Sequence, residues 1–280
     1  MRHFEKSSSI FSLFLNNKGR ILYDTLIYKN SKSFDSFLIE CDNHIVEEFT
    51  KYLKIFRVRK KIDISKADNL NVWTIFNSNL NSSKDSTLHI NKLKIKDNII
   101  YCRDPRLAEL GFRLLIPKET DPLHIVDQPT IELSKSDSYR LLRYQLGVGE
   151  GIDELTPGKA LPLESNGDYL HGVSFHKGCY IGQELTARSH HTGVIRKRLM
   201  PIFVTNLESD LSAKTDDSIE ADESKKSVGK LKGFSKNVGL ALLRINEALS
   251  AKELKLSNVQ VQTLKPTWWP QESPKEIKRN

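Results

Sequence analysis

The stretch Lys177-Gly178-Cys179-Tyr180-Ile181-Gly182-Gln183-Glu184 sets a thiol beside glycines, with a lysine two residues before it and a glutamate five after. Glycine tolerates positive φ and close backbone approach, so Gly178 and Gly182 read as the pivots of a tight loop. His176, Lys177 and Arg188 lie nearby, and cations favour the thiolate, the form of cysteine that attacks or binds metal. A lone cysteine is more often a small buried hydrophobe in a tight turn. This neighbourhood argues for the other reading: Cys179 is a functional thiol, Lys177 tunes it, and Gln183 and Glu184 hold its loop. The remaining cysteines, Cys41 and Cys102, are far away in sequence, and there is no Cys-x-x-Cys. That pattern argues against a disulfide framework and suits a reducing compartment. Any metal held at Cys179 needs ligands from a second molecule.

Working outward, Arg188, His190, His191, Arg196, Lys197 and Arg198 crowd into eleven positions. Such a cluster fits a polyanion, for instance a phosphate or polyglutamate, and equally a solvated face of a basic protein. On a strand Arg196 and Arg198 share a face and Lys197 points away.

The whole chain of 280 residues is 38% hydrophobic and 28% charged, with a mean hydropathy of −0.44, a net charge of +8 and a pI near 9.2. Its length suggests about two domains. No stretch approaches the roughly 20 apolar residues of a membrane-spanning helix, so membrane insertion is not expected. Positive charge favours anionic partners, but the aromatic residues do not interleave with Lys and Arg as stacking platforms do, which ranks DNA or RNA last among the partners. The first residues are basic and Ser-rich like a transit peptide, but Glu5 is wrong for one, and Ile10–Leu15 reads as a strand.

Phe11–Lys29 alternates around Asn16-Asn17-Lys18-Gly19, which predicts a hairpin with strands near 10–15 and 20–29. Ser33–Glu40 reads as a further strand. Ile45, Val46, Phe49, Tyr52, Leu53 and Phe56 recur at helical spacing within 44–60, with Asp42 or Asn43 as cap. β-like runs follow at 61–64, 71–76, 99–102 and 111–117, giving an open-faced α+β sandwich. The polar segment 77–86 reads as a loop. Leu133–Leu146 predicts a helix ending before Gly147, with Ser134 or Ser136 at its cap. Beyond Val194 strands are expected at 196–204, 228–234, 238–244 and 259–263. The charged segment 208–226 reads as an exposed loop, and the tail 270–280 as loosely ordered.

Lys177 to Glu184 is similar to the signature of the YgfZ-like family, folate-binding relatives of the glycine-cleavage aminomethyltransferase. Its extension Leu185-Thr-Ala-Arg-Ser-His-His-Thr-Gly-Val-Ile-Arg-Lys-Arg-Leu199 resembles the mitochondrial iron–sulfur cluster assembly branch. Phe14-Leu-Asn-Asn-Lys-Gly-Arg-Ile-Leu-Tyr-Asp24, Asp104-Pro-Arg-Leu-Ala-Glu-Leu-Gly-Phe-Arg113 and Tyr139-Arg-Leu-Leu-Arg-Tyr-Gln-Leu-Gly-Val148 support it, as do Gly158–Asn166 and the 229–244 strand pair. The resemblance implies an α+β, aminomethyltransferase-like cloverleaf around a central channel. Its parts would be a discontinuous α+β domain at 1–30 and 125–196, an inserted ferredoxin-like domain at 31–124, and a small β-barrel at 197–280.

The resemblance also implies a role in the mitochondrial matrix: maturing 4Fe–4S proteins of the aconitase and lipoate synthase type alongside an A-type iron–sulfur carrier. Cys179 would hold a 4Fe–4S or 2Fe–2S cluster only transiently and only with that partner. Tetrahydrofolate, or a folate-like small molecule, is implied in the channel near Asp24, Arg143, Gln145 and Arg188. Two departures count against transferase chemistry, which leaves a folate-dependent one-carbon transferase as the alternative. Tyr23-Asp24 stands where the aminomethyltransferases carry Asp-Asp, and Gln145 where they carry a glutamate toward the pterin. A lost carboxylate acceptor is worth about 1.5–3 kcal/mol. The family also has some tens of residues before Phe14-Leu-Asn, which implies that the first domain is N-terminally truncated here.

Overall fold

Strands β1 (Ser9–Leu15) and β2 (Ile21–Lys29) form the expected hairpin, and its turn is closed by one side chain. The Asn16 carboxamide oxygen accepts from the N–H groups of Lys18 and Arg20, both at 3.0 Å, the local satisfaction for which asparagine is favoured in turns. The computed structural model describes residues 8–30, 35–78, 99–125, 131–206, 213–222 and 225–271. It divides into two units, residues 1–12 with 23–135 and residues 13–22 with 136–280, so the hairpin tip belongs to the second.

In the first unit β2 pairs antiparallel with β3 (Phe37–Glu40), completing a three-stranded sheet in the order β1-β2-β3. Asp42 accepts from the His44 N–H at 2.9 Å and opens a single 3-10 turn leading into α1 (Val46–Arg57). The helix carries an aromatic ladder: Tyr23 packs on Phe49 and Tyr52, and Tyr52 on Phe56, at centroid distances of 4.9, 5.4 and 4.7 Å. Burial and the Glu48 carboxylate push the Tyr23 hydroxyl up to about 12. A second antiparallel sheet orders β4 (Leu70–Ile75), β6 (Phe112–Pro117) and β5 (Ile100–Arg103) with β6 central. Phe112, Leu114, Ile116 and Ile125 form its core. The strand expected at 61–64 is not there. Those residues are irregular and Ile62 is exposed; the backbone is tied instead through Arg57, whose guanidinium donates to the Ile62 carbonyl at 3.0 Å.

A buried ionic network crosses this unit. Arg106 donates to both Asp104 oxygens at 2.9 and 2.7 Å, and Arg113 donates to Asp104 at 3.3 Å and to Glu40. The Tyr28 hydroxyl also donates to Glu40. Burial alone would raise the Asp104 carboxyl, but the two guanidiniums more than offset it and hold it below the usual carboxylate range.

In the second unit α2 (Ser136–Leu146) and the short α3 (Gly151–Glu154) precede a long irregular stretch, α4 (Gln183–Thr192), and a barrel. The barrel closes six strands in the order β10-β7-β12-β11-β8-β9: β7 (Lys197–Val204), β8 (Ser218–Ala221), β9 (Lys226–Ser235), β10 (Val238–Arg244), β11 (Leu254–Leu256) and β12 (Val259–Thr263). Closure leaves no unpaired edge. The inside is filled by Met200, Ile202, Ile219, Leu231, Leu243, Leu256 and Val261 among others, while Tyr144 of α2 and Leu155 pack with Leu199, Val238 and Leu240 on the outside.

Part of 208–226, expected as an exposed loop, is strand β8, with Ile219 fully buried between β11 and β9. One inward residue among charged ones leaves almost no period to read. Helices α4 and α5 (Ile245–Ser250) and strand β11 add to the expected elements; α5 and β11 are short, and α4 has a single buried residue, Thr186. The predicted loop at 77–86 lies outside the described residues beyond position 78, as does the tail beyond 271 and the start of the strand placed at 33.

Candidate functional site: the Cys179 loop

The loop that carries Cys179 leads from residue 172 into α4, and Gly182 is the residue before the helix, with φ +78°. A Cβ added there would lie 2.3 Å from the Asn16 carbonyl oxygen and 2.9 Å from Gly19 Cα. Gly19 is at φ +71°, and its added Cβ would meet the Gly182 oxygen at 2.9 Å. Two glycines on separate segments thus permit the hairpin tip and the helix start to touch backbone to backbone. The sequence marks Asn16–Gly19 only as a turn; its contact with Gly182 is long-range packing that no local pattern carries. Gly178 differs from the expectation: its φ is not positive, and a Cβ there would meet nothing within 4 Å. It lies on the open side of the loop.

The Tyr180–Gln183 turn is closed reciprocally. The Tyr180 N–H donates to the Gln183 side-chain oxygen at 3.0 Å, and the Gln183 N–H donates to the Tyr180 carbonyl at 3.3 Å. Gln183 is thus bonded through both its side chain and its backbone to the residue after Cys179. Lys177 lays its ammonium 4.8 Å from the centre of the Tyr180 ring, a cation–π geometry, and the Tyr180 hydroxyl is buried with no hydrogen-bond partner among the described residues. Glu184 does not hold the loop: it is exposed and pairs along the helix with Arg188 at 3.2 Å. Phe175 stacks on His190 at 3.6 Å and meets His191 edge-on, tying the start of the loop to the end of α4.

Cys179 itself is a free, exposed thiol. Cys41 and Cys102 are different. Burial, with neighbouring acids, pushes both up to about 11, and Cys102 is enclosed. Among the described residues no group of three or more His, Cys, Asp or Glu is arranged to hold a metal ion.

The other predicted residues have surroundings of their own. Arg143 is buried and committed: it donates to Glu154 at 2.6 and 3.1 Å and to the Val148 carbonyl at 3.1 Å. Glu154 in turn accepts from the Tyr144 hydroxyl at 2.8 Å and the Glu150 N–H at 2.7 Å. Gln145, next to it, is half-buried, and Asp24 is buried in the first unit beside Cys41. Of the basic cluster, Arg198 is not a surface cation. It is 2% exposed, forks onto Asp168 at 2.8 and 2.9 Å, donates to the Leu163 carbonyl at 2.8 Å and lies over the Tyr169 ring at 3.8 Å. Arg196 precedes the strand that was expected to include it.

A family model described as the CAF17 C-terminal beta-barrel domain matches residues 196–271. The mouse protein named iron-sulfur cluster assembly factor IBA57, mitochondrial, is 38% identical over 269 residues, covering 93% of this chain and 72% of its own. The chain belongs to the IBA57 family. The human IBA57 factor is 39% identical over 266 residues with the same coverage, and a Dictyostelium discoideum homologue is 34% identical over 76% of this chain. Among solved structures, the glycine cleavage system aminomethyltransferase T of Bartonella henselae superposes with a TM-score of 0.67 over 94% of this chain and 76% of that one, at 12% identity. At that identity the likeness establishes an aminomethyltransferase-like fold and carries no chemistry.

Proposed function

We propose that this chain is a mitochondrial iron–sulfur cluster assembly factor in which Cys179 is a transient cluster ligand. The observation that carries the reading is an exposed free thiol on a loop fixed by a glycine–glycine contact, in a chain whose relatives bear that name. The chemistry is ligand exchange. The thiol proton leaves to solvent as sulfur bonds to iron, a partner ligand departs, and no oxidation state changes. Clusters of the 2Fe–2S and 4Fe–4S types take four protein ligands, so one cysteine needs a partner to supply the rest, which fits an A-type carrier. The clients would be 4Fe–4S proteins of the aconitase and lipoate synthase type in the matrix.

The residues expected to hold tetrahydrofolate fit it poorly as they stand. Both terminal guanidinium nitrogens of Arg143 are spent on Glu154, and Arg188 pairs with Glu184 at the surface. No step here runs through a folate.

The test is Cys179→Ala in cells depleted of the native protein. The expected outcome is normal amounts of folded protein with aconitase activity and protein lipoylation left at depleted levels. Full rescue of both would sink the reading.

A further inference from the structure

The second unit holds a cleft of about 400 Å³. It is lined by residues 161–164, by Leu185, Thr186 and Ser189 of α4, by residues 193–197 at the entry to β7, and by Arg244. The walls offer an apolar lining from Leu161, Leu163, Leu185 and Val194, while Arg196, Lys197 and Arg244 supply positive charge.

Three observations set these cations apart from ordinary solvated charge. First, they arrive from two segments, Arg196 and Lys197 from one and Arg244 from the other, and the two are locked together. The Ile245 N–H donates to the Arg196 carbonyl at 2.9 Å, and the β7–β10 register sets Lys197 directly opposite Arg244. Like charges directly opposed across strands are destabilising, so this pair is a cost that a bound anion would remove. Second, none of the three side chains has a hydrogen bond or ion pair within the described residues, whereas Arg198 beside them forks onto Asp168. Third, the sole acid of the lining, Glu164, leaves the lining two positive charges in excess. Glu164 is half-buried, and its carboxylate makes no hydrogen bond within the described residues, so it stands ready to accept one from a ligand.

We infer that this cleft binds a small organic anion with a phosphate-type head and an apolar or aromatic body. The head would sit between the two guanidiniums, which match phosphate geometry in a fork. The body would lie against Leu163, Leu185 and Val194. A pocket of this size and mixed lining is ordinary for a small-molecule site. The inference does not rest on the role proposed for Cys179.

The experiment is calorimetric titration of the whole protein with 1-naphthyl phosphate, inorganic phosphate and 1-naphthol. Naphthyl phosphate is expected to bind at least about tenfold more tightly than either fragment. Arg196→Gln and Arg244→Gln should each weaken it about tenfold, the range of one charged hydrogen bond. Lys230→Gln and Lys255→Gln remove the same charge from exposed strand positions outside the cleft lining and should leave affinity within about twofold. Both arginines are exposed, so the variants should fold, which thermal unfolding checks. Cys179→Ala should bind like the wild type, separating failure here from failure of the cluster-ligand reading. Equal affinity in wild type and both arginine variants would overturn the inference, as would naphthyl phosphate binding no better than phosphate. So would tight binding of an acidic leucine-containing peptide that naphthyl phosphate cannot displace, because the occupant would then be a protein segment.

Discussion

Cys179 and Arg198 lie nineteen residues apart in one cation-rich stretch, yet they are physical opposites. Around Cys179 the side chains are exposed and weakly tied, and the position is fixed by backbone geometry at Gly182 and Gly19. Around Arg198 the backbone is ordinary strand, and the position is fixed by a buried fork onto Asp168 with a ring beneath it. The difference is whether the fold delivers an acid. Asp168 comes from thirty residues upstream to meet Arg198, whereas among the described residues Arg188 finds only Glu184 one turn away on its own helix. Density of charge in a sequence therefore cannot separate a structural strut from a solvated surface.

The largest effect expected is on the strut. Arg198→Ala leaves Asp168 buried without its partner, and breaking one side of such a pair costs about 3–5 kcal/mol. Arg188→Ala removes an exposed pair within a helix, worth about 0.3–0.5 kcal/mol. Urea unfolding of the two variants measures the contrast directly, and similar losses would erase the distinction drawn here.

The Asp104 network in the first unit sharpens the same contrast with pH. Because its folded carboxyl lies below the usual value, the stability it contributes is fully present above the unfolded value near about 4. That stability is lost as pH falls through the lower folded value. Unfolding free energy measured from pH 7 down to 3 should fall on the acid side, and Asp104→Asn should flatten that limb while lowering stability at neutral pH. An unchanged acid limb in the variant would assign the loss to other carboxylates.

At the loop, Gly182→Ala forces a Cβ to within 2.3 Å of a carbonyl oxygen at a φ that L residues avoid. The expected cost is on the order of 1–3 kcal/mol, together with loss of function in the rescue assay. Gly178→Ala faces open space and should stay within about 0.5 kcal/mol of wild type. Equal effects would mean that the two glycines are not distinguished by packing.

How much of this was readable follows the same physics. The hairpin, α1, α2 and the longer barrel strands were legible because several apolar residues repeat at one period along each. β8 and β11 were not, since each offers only one or two inward residues in charged surroundings. In the site, the exposed thiol and the positive-φ Gly182 could be picked out, whereas Gly178 is no pivot. The fate of the cations could not: whether Arg143 meets Glu154, or Arg198 meets Asp168, depends on long-range register that no local pattern encodes. The holding role first given to Glu184 fails for the complementary reason, because a helix surface offers a carboxylate an arginine at i+4 more readily than a loop offers a backbone N–H.

The smallest effect tests how the loop divides its support between side chain and backbone. Gln183→Ala removes the acceptor of the Tyr180 N–H, a partly exposed bond that water can replace, so global stability should drop by only about 0.5–1.5 kcal/mol. Exchange of the Tyr180 amide should quicken about tenfold, since 1.4 kcal/mol is a factor of ten in a local opening equilibrium. Gln183→Glu keeps an acceptor oxygen at the same reach and should restore slow exchange, which a purely steric role for the side chain would not predict. If the amide exchanges at the wild-type rate in both variants, the glycine contact at Gly19 and Gly182 alone positions the thiol, and the Tyr180–Gln183 turn is a consequence of that contact instead of a second support.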